Sequence, residues 1–264
     1  MSLYNNYKEK KERKEKREKK MLYTPLEQFK VVMIRPLGIF GYDLSISNST
    51  VYLLLASFFI YIVFKRGTES GKLVPNGMQR LAELMYMFLN NLVKQQAGIK
   101  GLTYFPVLMV LFYLILFLNL LGLTPFAFTC TSQICYTFTL GFSMFIGIVI
   151  IGVVTQKANF VKNFIPATTG PIVPLLIVIE IFSYCIRPFS LSIRLFANML
   201  AGHTLLNILS GFCISLLQVD VLLGLLMGLP VIAICVLELG IAFLQAYVFV
   251  VLVSIYLKES FYGH

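Results

Sequence analysis

From Gly101 to Leu257 the chain carries only seven charged side chains: Lys157, Lys162, Glu180, Arg187, Arg194, Asp220 and Glu238. Apolar runs of that length belong in lipid, where about 20 residues of helix cross the hydrocarbon. The whole sequence agrees, with 58% hydrophobic and 13% charged residues and a mean hydropathy of +0.82. An ordinary soluble domain carries about twice that charge. The expected class is an all-α polytopic membrane protein.

The net charge of +10 does not describe this apolar part. Residues 8–20 (KEKKERKEKREKK) hold nine Lys/Arg and four Glu, half of the excess. One basic tail without a folded basic surface leaves no footprint for nucleic acid. Residues 1–24 therefore read as a charged, solvated tail. It lacks the apolar core of a secretory signal and is too acidic for a transit peptide. The five cysteines lie mostly in apolar runs, where a thiol acts as a small hydrophobe. Cys130 and Cys135 sit in a loop, CTSQIC, with no His or further Cys pair beside them, so neither a disulfide nor a metal is expected there.

Four regions follow from the patterning. After the tail, residues 25–100 begin with a mixed stretch at 26–40 that suits an interface. They continue with a first span, Val51–Phe64, lengthened by Ser47–Thr50 and closed by Lys65-Arg66. Over Asn76–Ala97, Met78, Leu81, Ala82, Leu84, Met85, Phe88, Leu89 and Leu92 recur at helical spacing against Gln79, Arg80, Glu83, Asn90, Asn91 and Lys94. That amphipathic pattern predicts a helix on the membrane rather than across it. Residues 101–160 hold a hairpin of two uncharged spans, Tyr104–Leu123 and Tyr136–Thr155. The link after the second contains Lys157 and Lys162, which places that side in the matrix or cytoplasm.

Residues 161–264 are expected to form two long helical segments, at about 171–211 and 219–257. Each would be roughly 60 Å long, twice the hydrocarbon thickness. Four short spans or two steeply tilted helices fit that length. The second is favoured by a polar stripe that a turn near Arg194 would break. Pro188 and Pro230 are expected to kink these helices without ending them.

The stripe is Glu180, Ser183, Arg187, Ser190, Arg194 and Asn198, spaced by 3, 4, 3, 4 and 4. All six therefore share one face of an otherwise apolar helix. An ionised side chain at mid-bilayer costs about 2.5–3.5 kcal/mol even on insertion scales, so such a stripe marks an ion path more readily than packing. Arg194 keeps its proton and cannot relay one, but its fixed charge would ionise a carboxylic acid brought beside it. Glu180, 14 residues earlier, can take up and release protons in an aqueous path to one side; an acid near the headgroups is the plainer reading. Arg187 is expected to support it, by pairing with Glu180 or holding it in place. His203 lies half a turn out of phase with Arg194. On the following helix Glu238 and Gln245 are seven apart, on one face. A His facing a Glu makes a proton-conducting pair, whereas a lone buried His more often just bonds a carbonyl. Gln245 is expected to hydrogen-bond Arg194, and Asp220 to line a channel entrance between the long helices.

RLFANMLAGH, preceded by Glu180 and followed by LELGIAFLQAYVF, resembles the a subunit (subunit 6) family of the F-type ATP synthase membrane sector. The resemblance spans roughly residues 45–258 and includes VPNGMQRLAELMY. It implies a proton-conducting stator subunit with two long tilted helices wrapping a ring of c subunits. It further implies two offset half-channels, with the family's invariant arginine at Arg194 and its other motif positions at Asn198, Gln245 and Glu180. Many bacterial members carry Glu where this chain has His203, and His where it has Glu238. The exchanged pair resembles mitochondrial and alphaproteobacterial members, and the exchange supports contact between the two helices. Implied partners are the c-subunit ring, peripheral-stalk and other membrane-sector subunits, and the lipid bilayer. The implied location is the mitochondrial inner membrane, or a bacterial plasma membrane. No cofactor or metal is implied, and ATP chemistry belongs elsewhere, in agreement with the lack of a Gly-Lys-Ser/Thr phosphate loop. Residues 1–24 match no recognised motif, and the resemblance implies that their charge lies on the side that positive charge usually avoids, though about 30 residues before the first span, outside the range where that rule acts strongly.

Two other classes compete on the residues alone. A self-contained cation/proton transporter would show two related halves with interrupted helices, whereas here the charges cluster in one half. A purely structural subunit of a respiratory complex would make the intramembrane charges dispensable. Sodium sites need several oxygen ligands, and the dominance of Arg and His favours protons.

Overall fold

The computed structural model describes residues 29–35, 38–39, 42–43, 45–69, 71, 74–124, 127–157 and 173–262. The expected tail at 1–24, Lys162 and most of the link around it lie outside these residues. Six helices dominate: α1 Asn48–Glu69, α2 Gly77–Gly101, α3 Phe105–Gly122, α4 Ile134–Gln156, α5 Val173–Leu217 and α6 Val221–Tyr262. Five helical stretches are long and apolar enough to cross a membrane, α2 and α3 counting together. The fold is an all-α polytopic membrane protein.

Most boundaries fall within a few residues of those read from sequence. Three helices outrun their expected ends: α1 passes Lys65 and Arg66 to reach Glu69, and α5 and α6 continue to Leu217 and Tyr262. The basic pair does not break α1 because Lys65 and Glu69 are an i,i+4 ion pair at 3.8 Å on the solvated end. α5 and α6 are each continuous, with Pro188 and Pro230 inside them. At 45 and 42 residues they are more than twice the length a perpendicular span needs.

The sequence pattern did not disclose two short antiparallel pairs before α1. Met33–Arg35 (β1) pairs with Ile46–Ser47 (β4), and Gly38–Ile39 (β2) with Tyr42–Asp43 (β3). Strands of two or three residues are too short to show a period.

The amphipathic face of α2 also differs from expectation. Ala82, Leu89 and Leu92 are buried, but Met78, Leu81, Leu84 and Phe88 are exposed. Gln79, expected on the polar face, is buried and donates to Glu83 at 2.9 Å. The helix is gripped on one side by the bundle, so its apolar residues divide between protein and surroundings.

The core centres on α6, which packs against α2, α3, α4 and α5. Leu89, Val93, Phe112, Tyr113 and Ile115 pack with Leu195, Ala246, Phe249 and Val250. Polar atoms inside it are tied across helices: Tyr113 donates to the Met85 carbonyl at 2.9 Å, and Asn119 Nδ2 to that of Ala242 at 3.3 Å. Helices α4 and α5 touch so closely at Gly141 that a Cβ there would stand 2.2 Å from Ser192 Oγ. This packing fixes which face of α5 looks inward. The outer face of α6 stays apolar, with Leu222, Leu225, Leu226, Leu229 and Val236 all widely exposed.

Candidate functional site

The polar residues of α5 and α6 meet in antiparallel order. Arg187 lies against Glu259, Asn198 against Gln245, and Gly202 against Glu238. On α6 the three partners are separated by seven and fourteen residues, so one face of that helix supplies them all.

At one end Arg187 forms a charge-assisted hydrogen bond with Glu259. Both side chains are mostly buried, at 17% and 26% exposure. The guanidinium also lies over the rings of Tyr184 and Tyr256, at 5.5 and 5.0 Å from their centroids. An arginine engaged by a carboxylate and two aromatic faces is a fixed structural element. Arg187 was expected to support Glu180; its ion pair is instead with Glu259, a residue that sequence reasoning missed. Glu180 is half-buried, two turns earlier on α5.

Arg194 is different. It is exposed on α5, beside exposed Ile193 and Ser190, while Leu191, Ser192 and Leu195 face the core. Among the described residues no hydrogen bond or ion pair forms on it. Ser183 is exposed as well. The stripe is therefore divided: Ser183, Ser190 and Arg194 face outward, and Glu180, Arg187 and Asn198 are half-buried.

Asn198 Nδ2 donates to Gln245 Oε1 at 2.9 Å. Gln245 thus takes its hydrogen bond from Asn198 and not from Arg194, as the sequence had suggested. Asn198 lies one turn beyond Arg194 on α5, and Gln245, 2% exposed, meets it in the interior while Arg194 is exposed.

At the other end Glu238 is 6% exposed. Its carboxylate fills the space left by Gly202, where a Cβ would stand 2.3 Å from Glu238 Oε1. Neither Glu238 oxygen has a hydrogen-bond partner among the described residues, and neither does the buried Nε2 of His203. The two groups expected to pair are thus brought to adjacent positions without a direct bond. The ring of Phe29 meets that of His203 edge-on, with centroids 6.4 Å apart. Asp220, expected at a channel entrance, is exposed in the link and accepts from Leu222 N at 3.3 Å; it caps the start of α6. Cys130 is buried and donates to the Ser49 carbonyl at 3.2 Å, whereas Cys135 is exposed on α4.

Fold and site together define a multi-pass membrane protein with ionisable side chains built into its longest helix pair. The family model for the ATP synthase A chain matches residues 46–258. The chain is 42% identical over 243 residues to ATP synthase subunit a of Acanthamoeba castellanii, covering 91% of this chain and 98% of that one. It is 43% identical over 256 residues to ATP synthase subunit a of Brassica napus, covering 91% and 97%. It is 40% identical over 250 residues to the Pelagibacter ubique (strain HTCC1062) subunit, covering 92% and 100%. The chain belongs to the ATP synthase A chain family.

Proposed function

We propose that this chain, as the proton-translocating stator subunit of an F-type ATP synthase, uses Arg194 to divide two offset half-channels serving the carboxylates of a c-subunit ring. The observation that carries this reading is the outward guanidinium of Arg194, without an ion pair among the described residues, on a membrane-length helix. A permanent cation with no ion pair among the described residues at such a place calls for an anion from a partner. A ring carboxyl arriving there releases its proton, because the cation favours the charged form. Arg194 cannot itself give up a proton, so it also blocks direct leakage between the two sides.

His203 and Glu238 serve one half-channel. Their buried polar atoms lack fixed partners among the described residues, leaving them able to exchange protons. Glu180 serves the other, on the opposite side of Arg194. Asn198 and Gln245 bond across α5 and α6 and hold their spacing beside Arg194, while Arg187 locks the far end to Glu259. Ser183 and Ser190 give α5 a polar outer edge. A proton enters at His203 and Glu238 and neutralises a ring carboxylate, which then turns through lipid. It leaves past Glu180. The driving force is the transmembrane potential, about 2.3 kcal/mol per charge per 100 mV, with the pH gradient. The chain binds no nucleotide in this scheme. Residues 161–264 form the proton path, and 25–160 the frame around it. The peripheral stalk and other membrane-sector subunits would complete the stator. The membrane is the mitochondrial inner membrane, a placement supported by the exchanged His203 and Glu238 and by the amoeba and plant relatives. The Pelagibacter relative favours a bacterial plasma membrane as the second reading.

Cross-linking tests this placement. A cysteine at Ser190, exposed one turn from Arg194, should form a disulfide with a cysteine on the ring's outer helix. One at the buried Ser192 should not. Equal yields at both positions, or none at Ser190 in a complex that contains the ring, would remove the ring from this face.

A further inference from the structure

The residue that covers His203 comes from the far end of the sequence. Phe29 lies 174 positions before it, yet their rings meet at 75° with centroids 6.4 Å apart. The chain around Phe29 is not loosely draped. Gln133, at the start of α4, donates its side-chain Nε2 to the Phe29 carbonyl at 2.6 Å. Asn48, at the start of α1, secures the next residues: its Nδ2 donates to the Lys30 carbonyl at 3.2 Å and its Oδ1 accepts from Val32 N at 3.2 Å. The Asn48 backbone N–H also donates to the Val32 carbonyl at 3.2 Å. β1 then continues the connection by pairing with β4. A strap held at both α1 and α4 has few ways to move its aromatic ring off His203. The Nε2 of His203 is buried with no hydrogen-bond partner among the described residues, so the ring contact is what these residues supply to orient the imidazole.

We propose that Phe29, fixed by Gln133 and Asn48, is a positioning residue that orients the His203 imidazole and shields it from bulk solvent. The proposal rests on the reading of His203 as a proton-path residue. It adds that access to this residue is set by a strap from before the first span rather than by the long helices alone. The edge-on contact holds one side of the imidazole, and the next residue back, Gly202, lies against Glu238 of α6. Gln133 acts one step further out, because it holds the Phe29 backbone and touches neither His203 nor Glu238.

The chain has two histidines, His203 and His264, so each can serve as a reference for the other. The assembled complex in its membrane is treated with diethyl pyrocarbonate, and acylation of each imidazole is followed by peptide mass. Phe29→Ala should raise the rate at His203 relative to His264 by about threefold or more, as expected when a protecting contact opens. Gln133→Ala should act in the same direction with smaller effect, and Phe29→Leu, which keeps most of the bulk, should stay nearer the parent. An unchanged ratio in an assembled Gln133→Ala or Phe29→Ala complex would overturn the strap. Failure of the underlying reading looks different: His203→Ala would then pump protons normally, while the acylation ratios could still respond to Phe29.

Discussion

The two ends of the seam between α5 and α6 contrast sharply. At one, Arg187 has its counter-charge in Glu259 and two tyrosine faces around it. At the other, Glu238 and His203 keep buried polar atoms without a hydrogen-bond partner among the described residues. Both ends place ionisable groups where desolvation is costly, but only one offsets that cost with fixed contacts. A satisfied pair holds geometry; an unsatisfied one is ready to exchange a proton. Asn198 and Gln245 lie between them, neutral and mutually bonded, and Arg194 turns outward with Ser183 and Ser190.

The strongest way to break this contrast is Glu238→Gln. Shape is kept and the titrating oxygen is lost, so ATP-driven proton pumping should fall ~100-fold in an assembled complex. Near-normal pumping would make Glu238 a packing residue. At the opposite end Arg187→Ala should act on stability first. It leaves Glu259 partly buried without its cation, at a cost on the order of 2 kcal/mol, between the surface and fully buried limits. The reading is a lower temperature for loss of the chain from the complex. Combining Arg187→Met with Glu259→Met should recover much of that loss, and a double variant no better than the single would deny the pairing its structural role.

Asn198→Ala should cost about 1 kcal/mol, since it leaves the buried Gln245 oxygen without its donor. Its pumping should drop less than that of Glu238→Gln, which sharpens the distinction between holding and conducting residues.

The smallest effect concerns thiols away from the seam. Burial pushes Cys130 up to about 11, and its Sγ is engaged by the Ser49 carbonyl. At pH 8 it should react with maleimide far more slowly than exposed Cys135, because the thiolate is the nucleophile. The unfolded thiol ionises near 9 and the folded one near 11, so this group's contribution to stability falls as pH rises through that window. Equal labelling of both cysteines would contradict the burial.

Long, strongly periodic features were legible in the sequence: the apolar helices, the continuity of α5 through Arg194 and the shared face of Glu238 and Gln245. Partnerships were less so, because periodicity fixes a residue's face but not what packs opposite. Glu259 lies fourteen residues beyond Gln245, so extending the same heptad spacing would have placed it on the seam. Arg187 then needed only the antiparallel register to find it. Asn119 carried a plainer sign, as a lone amide inside LILFLNLLGL, and its side chain reaches the Ala242 carbonyl. The strap at Phe29 left no such sign, since its contacts depend on α1, α4 and α5 being assembled.

The central claim is that Arg194 is a fixed charge between two proton paths, and Arg194→Ala tests it most directly. ATP-driven pumping and passive proton leak are measured together in membranes where the complex is assembled. The account predicts lost pumping, with leak raised as the barrier between the half-channels fails. Coupled pumping at the normal rate would contradict it and make the polar stripe of α5 structural.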